Sequence, residues 1–260
     1  MCCYTLGVVG VTTRRTSEHG VMPQSFFWDA THYPDLAQLF AALPSPAPAW
    51  VAGLTIHHTW RPTAAQWNGQ RTMNALGRAY RLKGWSGGPH LFVAPDGYWV
   101  GTPFARPGIH AGVCNHDRWG IEIVGDFDDA PWPPELQARV LALSVGLLHS
   151  VRADERMVSG HRECLPNKSC PGRAIHMPAV RQWIGAQLFN KRFGVIVDAG
   201  ANVRESPRVS AALITTVERG TTLPAHPVRG SVVRGDSRWV RVRLPSGRVG
   251  YIWEGLGVLS

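Results

Sequence analysis

"WVAGLTIHHT", residues 50–59, is an apolar run that closes on two histidines. Prolines at 44, 46 and 48 stand before it and forbid a helix there. Valine, leucine, threonine and isoleucine crowd a stretch too short for a helix of ordinary length. The pattern predicts a buried strand. Side chains alternate along a strand, so His57 and His58 leave on opposite faces.

Working outward, "YPDLAQLFAAL" (33–43) reads as a short helix before the prolines. "TAAQWNGQRTMNALGRAYRLKG" (63–84) reads as a helix with Ala64, Trp67, Met73, Leu76 and Tyr80 on its inner side. "HLFVAPDGYWVG" (90–101) places two β-rich runs around Asp-Gly, the signature of a hairpin. "WGIEIVGDF" (119–127) is a further strand, with Ile121 and Ile123 on one face and Glu122 on the other. In "PPELQARVLALSVGLLHSVR" (133–152), Leu136, Val140, Leu143 and Leu147 recur three or four apart behind a proline pair. This is the clearest helix of the chain. "HMPAVRQWIGAQL" (176–188) reads as a last helix. Strands alternating with helices predict an α/β domain, a mixed central sheet flanked by helices.

The character changes near residue 193. From there to 260, short β-rich runs alternate with Gly, Pro, Asp and Ser, and no helical spacing persists. A small all-β barrel is expected. The division predicted is 1–45 as an N-terminal extension without an assigned role, 46–190 as the main domain, and 195–260 as the barrel.

The 260 residues carry 27 Lys+Arg against 18 Asp+Glu, a net charge of +9. Basic residues exceed acidic ones on both sides of residue 193, so there is no separate basic tail. No arginine run interleaved with aromatics marks a nucleic-acid module, so no nucleic acid is expected as a partner. An anionic polymer such as a cell wall suits the charge. No apolar run approaches a membrane span. "MCCYTLGVVGVTT" has no basic residue before its apolar part, which argues against a secretory signal, and synthesis and folding in a cytoplasm are expected. Five cysteines are an odd, modest number and do not read as a disulfide framework.

A second group of chemistry-bearing residues lies in "HRECLPNKSC", 161–170. Taken singly, a histidine is more often a satisfied core residue, and a cysteine a small buried apolar one. Taken with the histidine pair at 57–58, His161 and Cys170 complete a different count. A zinc ion that catalyses hydrolysis wants three protein ligands and one open position.

"TIHHTW", "GWSGGPHLFVAPDG", "HAGVCNHDRWGIEIVGDF" and "GHRECLPNKSCPG" occur in that order. Together they resemble the type-2 family of zinc-dependent N-acetylmuramoyl-L-alanine amidases, which includes the peptidoglycan recognition proteins. The resemblance covers roughly residues 50–185. It implies a mixed sheet with zinc in a groove on one side. It also implies a peptidoglycan hydrolase that uses zinc-activated water to cleave the amide between N-acetylmuramic acid and L-alanine. Carried over residue by residue, the metal ligands fall on His57, His161 and Cys170, and Lys168 falls on a lysine beside the metal. A cation there can stabilise the oxyanion formed at the amide carbonyl.

The general base implied by the family is either a tyrosine or a glutamate. Pro89 stands where the tyrosine would be, before His90. Glu122 matches the glutamate and is expected to be the base. His90, His110 and Asn115 are expected to line the groove and contact substrate. Cys164 matches no family role and is read as packing.

"NVRESP", "RGTTL", "WVRV" and "GRVGYI" resemble bacterial SH3-like domains over roughly 195–260. Such a module implies targeting to the wall, and so a phage endolysin or bacterial autolysin acting as a monomer at the bacterial wall. Trp239, Tyr251 and Trp253 are either ligand-binding aromatics or, for Trp239 and Tyr251, barrel core. Residues 1–193 are expected to carry the chemistry without the module. Two other readings remain: a recognition protein that binds peptidoglycan without cutting it, and a cysteine hydrolase with Cys170 as nucleophile and His161 as base.

Overall fold

The strand expected at 50–59 forms as β2, Gly53–His58, and all six of its residues are buried. It belongs to a computed structural model that describes residues 25–260. Residues 1–24, with Cys2, Cys3 and most of the N-terminal extension, lie outside the described residues.

Before β2 come β1, Thr31–Tyr33, and α1, Leu36–Ala41, whose Asp35 carboxylate accepts the Gln38 N–H as an N-cap. After it come α2, Gly69–Leu82, and the hairpin of β3, Leu91–Ala94, with β4, Gly97–Val100. Strand β5 is Arg118–Ile123, helix α3 Pro134–Val151, strand β6 Val158–Gly160, helix α4 His161–Cys164 and helix α5 Met177–Gln187. Helix formation over 63–84 is interrupted. Ala64–Gln66 forms a separate 3₁₀ turn in which the Gln66 side chain accepts the Thr63 N–H, and α2 starts only at Gly69. Ala64, expected inside, is therefore exposed. Met73 and Tyr80 do turn inward and cluster with Phe92, Trp99 and Val124.

Six strands form one sheet in the order β1-β4-β3-β5-β2-β6. The β3–β4 pair is antiparallel, and β3 runs parallel to β5 with Phe92 opposite Glu122. This is the mixed sheet the alternation of elements predicted. Five of the six β5 residues are buried, so the strand is covered on both faces and Glu122 is not a surface residue.

The remaining strands are β7, Lys191–Val195, β8, Ala201–Arg204, β9, Leu213–Val217, β10, Thr222–Val233, β11, Asp236–Arg243, β12, Val249–Trp253, and β13, Gly257–Leu259. They form a second, all-antiparallel sheet in the order β13-β7-β10-β11-β12-β8-β9. Phe193, Val203, Leu223, Val240, Val242 and Ile252 fill its interior. Trp239 and Tyr251 are buried in a neighbouring cluster with Val228, so neither ring is a free binding surface. Among the described residues, no helix is long and apolar enough to cross a membrane.

The chain divides into two compact units. One holds the described residues up to Pro44, with Thr55–Trp132 and Ser159–Ile175. The other holds Ser45–Leu54, Pro133–Val158 and His176–Ser260, so α3, α5 and the β-rich module share a unit. Inside that second unit, Arg152 at the end of α3 donates to the Trp239 carbonyl at 3.1 Å and pairs with Glu254. Arg241 pairs with Glu155 at 2.6 Å, and His226 donates to the Ala153 carbonyl at 2.6 Å. A chain ended at Asn190 would leave these half-buried charges without partners. We expect its melting temperature to fall by several degrees, from about 1–3 kcal/mol of lost stability. A truncated chain that melts with the full one would contradict this.

Burial also sets a pH dependence. His90 and His226 are fully buried, and burial pushes each down to about 4. The folded chain keeps these rings neutral while the unfolded chain protonates them near 6.5. Their contribution is therefore complete above pH 6.5 and is lost as pH falls toward 4, by up to about 3 kcal/mol for each ring. Urea midpoints measured from pH 7 to pH 4.5 should fall steadily. A flat profile would show that neither ring is held neutral.

Candidate metal centre

His57 and His58, the last two residues of β2, are both buried and do leave on opposite faces. His58 turns to the backbone: its Nδ1 accepts the Phe127 N–H at 3.1 Å. His57 turns to two residues from far along the chain. Its Nδ1 lies 3.1 Å from His161 Nδ1 and 3.6 Å from Cys170 Sγ. The ligand atoms of the three residues all lie within 4.8 Å of one another, and all three residues are buried.

These separations can be compared with what zinc requires. Tetrahedral bonds of about 2.05 Å to nitrogen and 2.3 Å to sulfur put two nitrogens about 3.3 Å apart, and nitrogen and sulfur about 3.6 Å apart. The two separations from His57 match, and the donor set is that of a three-ligand site with one position left open. The residues fit a zinc ion.

Local sequence explains how each ligand is held. His161 opens the four-residue helix α4, whose Glu163 carboxylate accepts the N–H of Gly160 at 2.8 Å. Cys170 sits on the loop that follows, and Arg162 organises that loop. The Arg162 N–H donates to the Cys170 carbonyl at 2.9 Å, and its guanidinium donates to the carbonyls of Ser169, Gly172 and Ile175. Gly172 has φ +117°, and a Cβ there would lie 2.2 Å from the Phe127 carbonyl oxygen, so only glycine fits. The His58 N–H reaches Cys170 Sγ at 3.4 Å, a contact that favours the thiolate. Arg162 was not singled out in the sequence, although its place directly after His161 was a usable signal.

The other predicted residues fall into two groups. Glu122 is buried on β5, on the same face as Gly120, where a Cβ would lie 2.6 Å from the His110 ring. Gly120 thus makes room for His110, and Glu122 shares the face that His110 occupies. Lys168 is half-buried on the Cys170 loop, with its N–H on the Leu165 carbonyl at 3.1 Å.

His90, His110 and Asn115, expected to contact substrate, make the following bonds within the protein. His90 is wholly buried, its Nε2 donating to the Arg106 carbonyl at 2.8 Å and its Nδ1 accepting the Gly120 N–H at 3.0 Å. Both ring nitrogens are used by backbone. Asn115 Oδ1 accepts the N–H groups of His110 at 2.9 Å and Ala111 at 2.7 Å.

His110 Nε2 donates to the Arg118 carbonyl at 3.3 Å, which leaves Nδ1 as an acceptor 3.0 Å from His57 Nε2. Burial, reinforced by the neighbouring histidines His57 and His90, holds His110 well below the ordinary histidine range. With His110 neutral, His57 must donate from Nε2. Its Nδ1 lone pair then faces His161 and Cys170. One backbone carbonyl thereby sets the tautomers of two histidines.

Cys164, read as packing, is bonded to Cys114, 50 residues away. Cys170 is free and buried. The count of five concealed this bond, because its partners are brought together only by the fold. Both cysteines do lie inside the sequence blocks that carry the site.

Residues 47–173 match the family model described as N-acetylmuramoyl-L-alanine amidase, and residues 199–257 match that of the bacterial SH3 domain. No curated protein matches the chain. Among solved structures, the N-acetylmuramoyl-L-alanine amidase LysC from Clostridium intestinale URNW aligns at 21% identity and TM-score 0.45, over 51% of this chain and 84% of that one. The endolysin amidase LysCS from the same organism aligns at 22% identity and TM-score 0.43, over 53% and 86%. A mutant of Drosophila PGRP-LB in complex with tracheal cytotoxin aligns at 21% identity and TM-score 0.46, over 60% and 98%.

Proposed function

We propose that this chain, whose residues 47–173 belong to the N-acetylmuramoyl-L-alanine amidase family and whose residues 199–257 belong to the bacterial SH3 domain family, is a zinc-dependent peptidoglycan hydrolase. It cleaves the amide between N-acetylmuramic acid and L-alanine. The observation that carries the zinc dependence is the convergence of His57, His161 and Cys170, in a domain whose family performs this cleavage.

His57 Nδ1, His161 Nδ1 and the Cys170 thiolate would hold the metal. Zinc, when bound, supplies Lewis acidity toward water and toward the amide carbonyl. The chain's own groups do the rest. Glu122 takes the proton of the attacking water and delivers it to the leaving amine. Lys168 offers positive charge to the oxyanion that develops at the carbonyl.

We assign the chemistry to residues 46–190 and wall targeting to 195–260, with 1–45 as an extension. The basic balance of the chain suits an anionic wall, and the enzyme acts there as a monomer, as an endolysin or autolysin does. Metal analysis after purification tests the reading: about one zinc per chain is expected. A metal-free chain that cuts the amide at full rate would instead favour Cys170 as a nucleophile.

A further inference from the structure

We infer that the Cys114–Cys164 disulfide and His110 form one support that holds His57 and His161 in register, so that zinc affinity depends on a bond outside the ligand set. The inference rests on the zinc reading above. Cys164 ends the same four-residue helix that His161 begins. So short a helix has little stability of its own and takes its position from its attachments. Cys114 belongs to the turn Gly112–His116. The disulfide therefore ties the His161 segment to that turn. Packing reinforces the tie, because the Cα of Gly112 lies so close to Leu165 that a Cβ there would come within 3.2 Å of its side chain.

From the turn, the connection continues to the other ligand. Asn115, next to Cys114, holds the His110 and Ala111 N–H groups through its Oδ1. His110 Nδ1 accepts the N–H of His57 at 3.0 Å. The path from His161 to His57 thus runs through α4, the disulfide, Asn115 and His110, and every link is a covalent bond or a hydrogen bond. Cys170 is tied to α4 by Arg162, the residue after His161, and to β2 by the His58 N–H. Breaking the disulfide removes the tie between α4 and the turn that positions His110, so His161, with the Cys170 loop attached to it, should loosen relative to His57. His110 and the two cysteines act as positioning residues. A practical consequence follows from compartment chemistry. Thiol-reducing cytoplasm would leave the site loose, and the oxidising surroundings of a cell wall would complete it.

The test uses the full chain and zinc alone, with affinity read at 25 °C by competition with a chromophoric chelator. A phosphine reductant converts the disulfide, with one water, to two thiols and phosphine oxide, and leaves the Cys170 thiol as it is. Reduction, or the pair Cys114→Ser and Cys164→Ser, should weaken zinc binding by about 10–100-fold with the far-ultraviolet dichroism unchanged. His110→Leu in the oxidised chain should weaken it similarly. His110→Asn should recover much of the loss, since its Oδ1 can still accept the His57 N–H. Asn115→Ala should weaken it as well.

Should the reduced chain not fold, the His110 and Asn115 variants of the oxidised chain decide the matter. Equal zinc affinity in folded oxidised and reduced chains would overturn the inference, and so would His110→Leu binding zinc like the parent. An oxidised parent chain that binds no zinc is a separate result, which overturns the zinc reading and this inference with it.

Discussion

Cys170→Ser should leave the chain without stoichiometric zinc and without hydrolysis. The thiolate is the one anionic member of the proposed ligand set, and its Sγ sits 3.6 Å from His57 Nδ1 with the His58 N–H directed at it. A serine hydroxyl is protonated at neutral pH and cannot replace that charge. The two remaining imidazoles bind zinc weakly. The loss should exceed the roughly 10–100-fold that follows from removing an outer-shell partner. Zinc per chain and the rate on soluble muropeptide should fall together. Full zinc and full activity in Cys170→Ser would show that sulfur is not a ligand.

The second large effect is expected at Glu122. Glu122→Gln keeps the size of the side chain in its buried position on β5 and removes only its ability to take a proton. Zinc should stay bound, because Glu122 is not among the three converging ligands. The rate should fall by about 10²-fold or more, the usual cost of losing a general base. The acidic limb of the pH–rate profile should go with it. Pro89 stands where some relatives would offer a tyrosine, so no hydroxyl takes over from that position. A variant with zinc bound and a rate near the parent's would remove Glu122 from the mechanism.

His57, His161 and Cys170 could be named from the sequence because the order of its blocks resembles the amidases, and the structure brings these three residues together. A strand that ends in two histidines must send them to opposite faces, and His57 and His58 do so. The Asp-Gly hairpin and the periodic helix after Pro133 were equally local, and they form as β3–β4 and α3. What the sequence did not show was what each polar side chain bonds to. His90, His110 and Asn115, expected to line a groove, bond to backbone groups and to His57, partners that the sequence did not name. Whether a polar residue faces substrate or protein depends on its surroundings in space, which its own block of sequence does not encode. The disulfide between Cys114 and Cys164 was hidden for the same reason. Ala64 failed locally: a Gln66 side chain that closes its own turn outcompeted the helix.

The most direct test of the account is digestion of purified peptidoglycan by the full chain, with and without EDTA, followed by identification of the new ends. New N-terminal L-alanine is predicted, with no new reducing sugar ends. EDTA should abolish its appearance, and added zinc should restore it. New reducing ends would make the enzyme a glycosidase, and release of L-alanine ends undiminished by EDTA would remove zinc from the reaction.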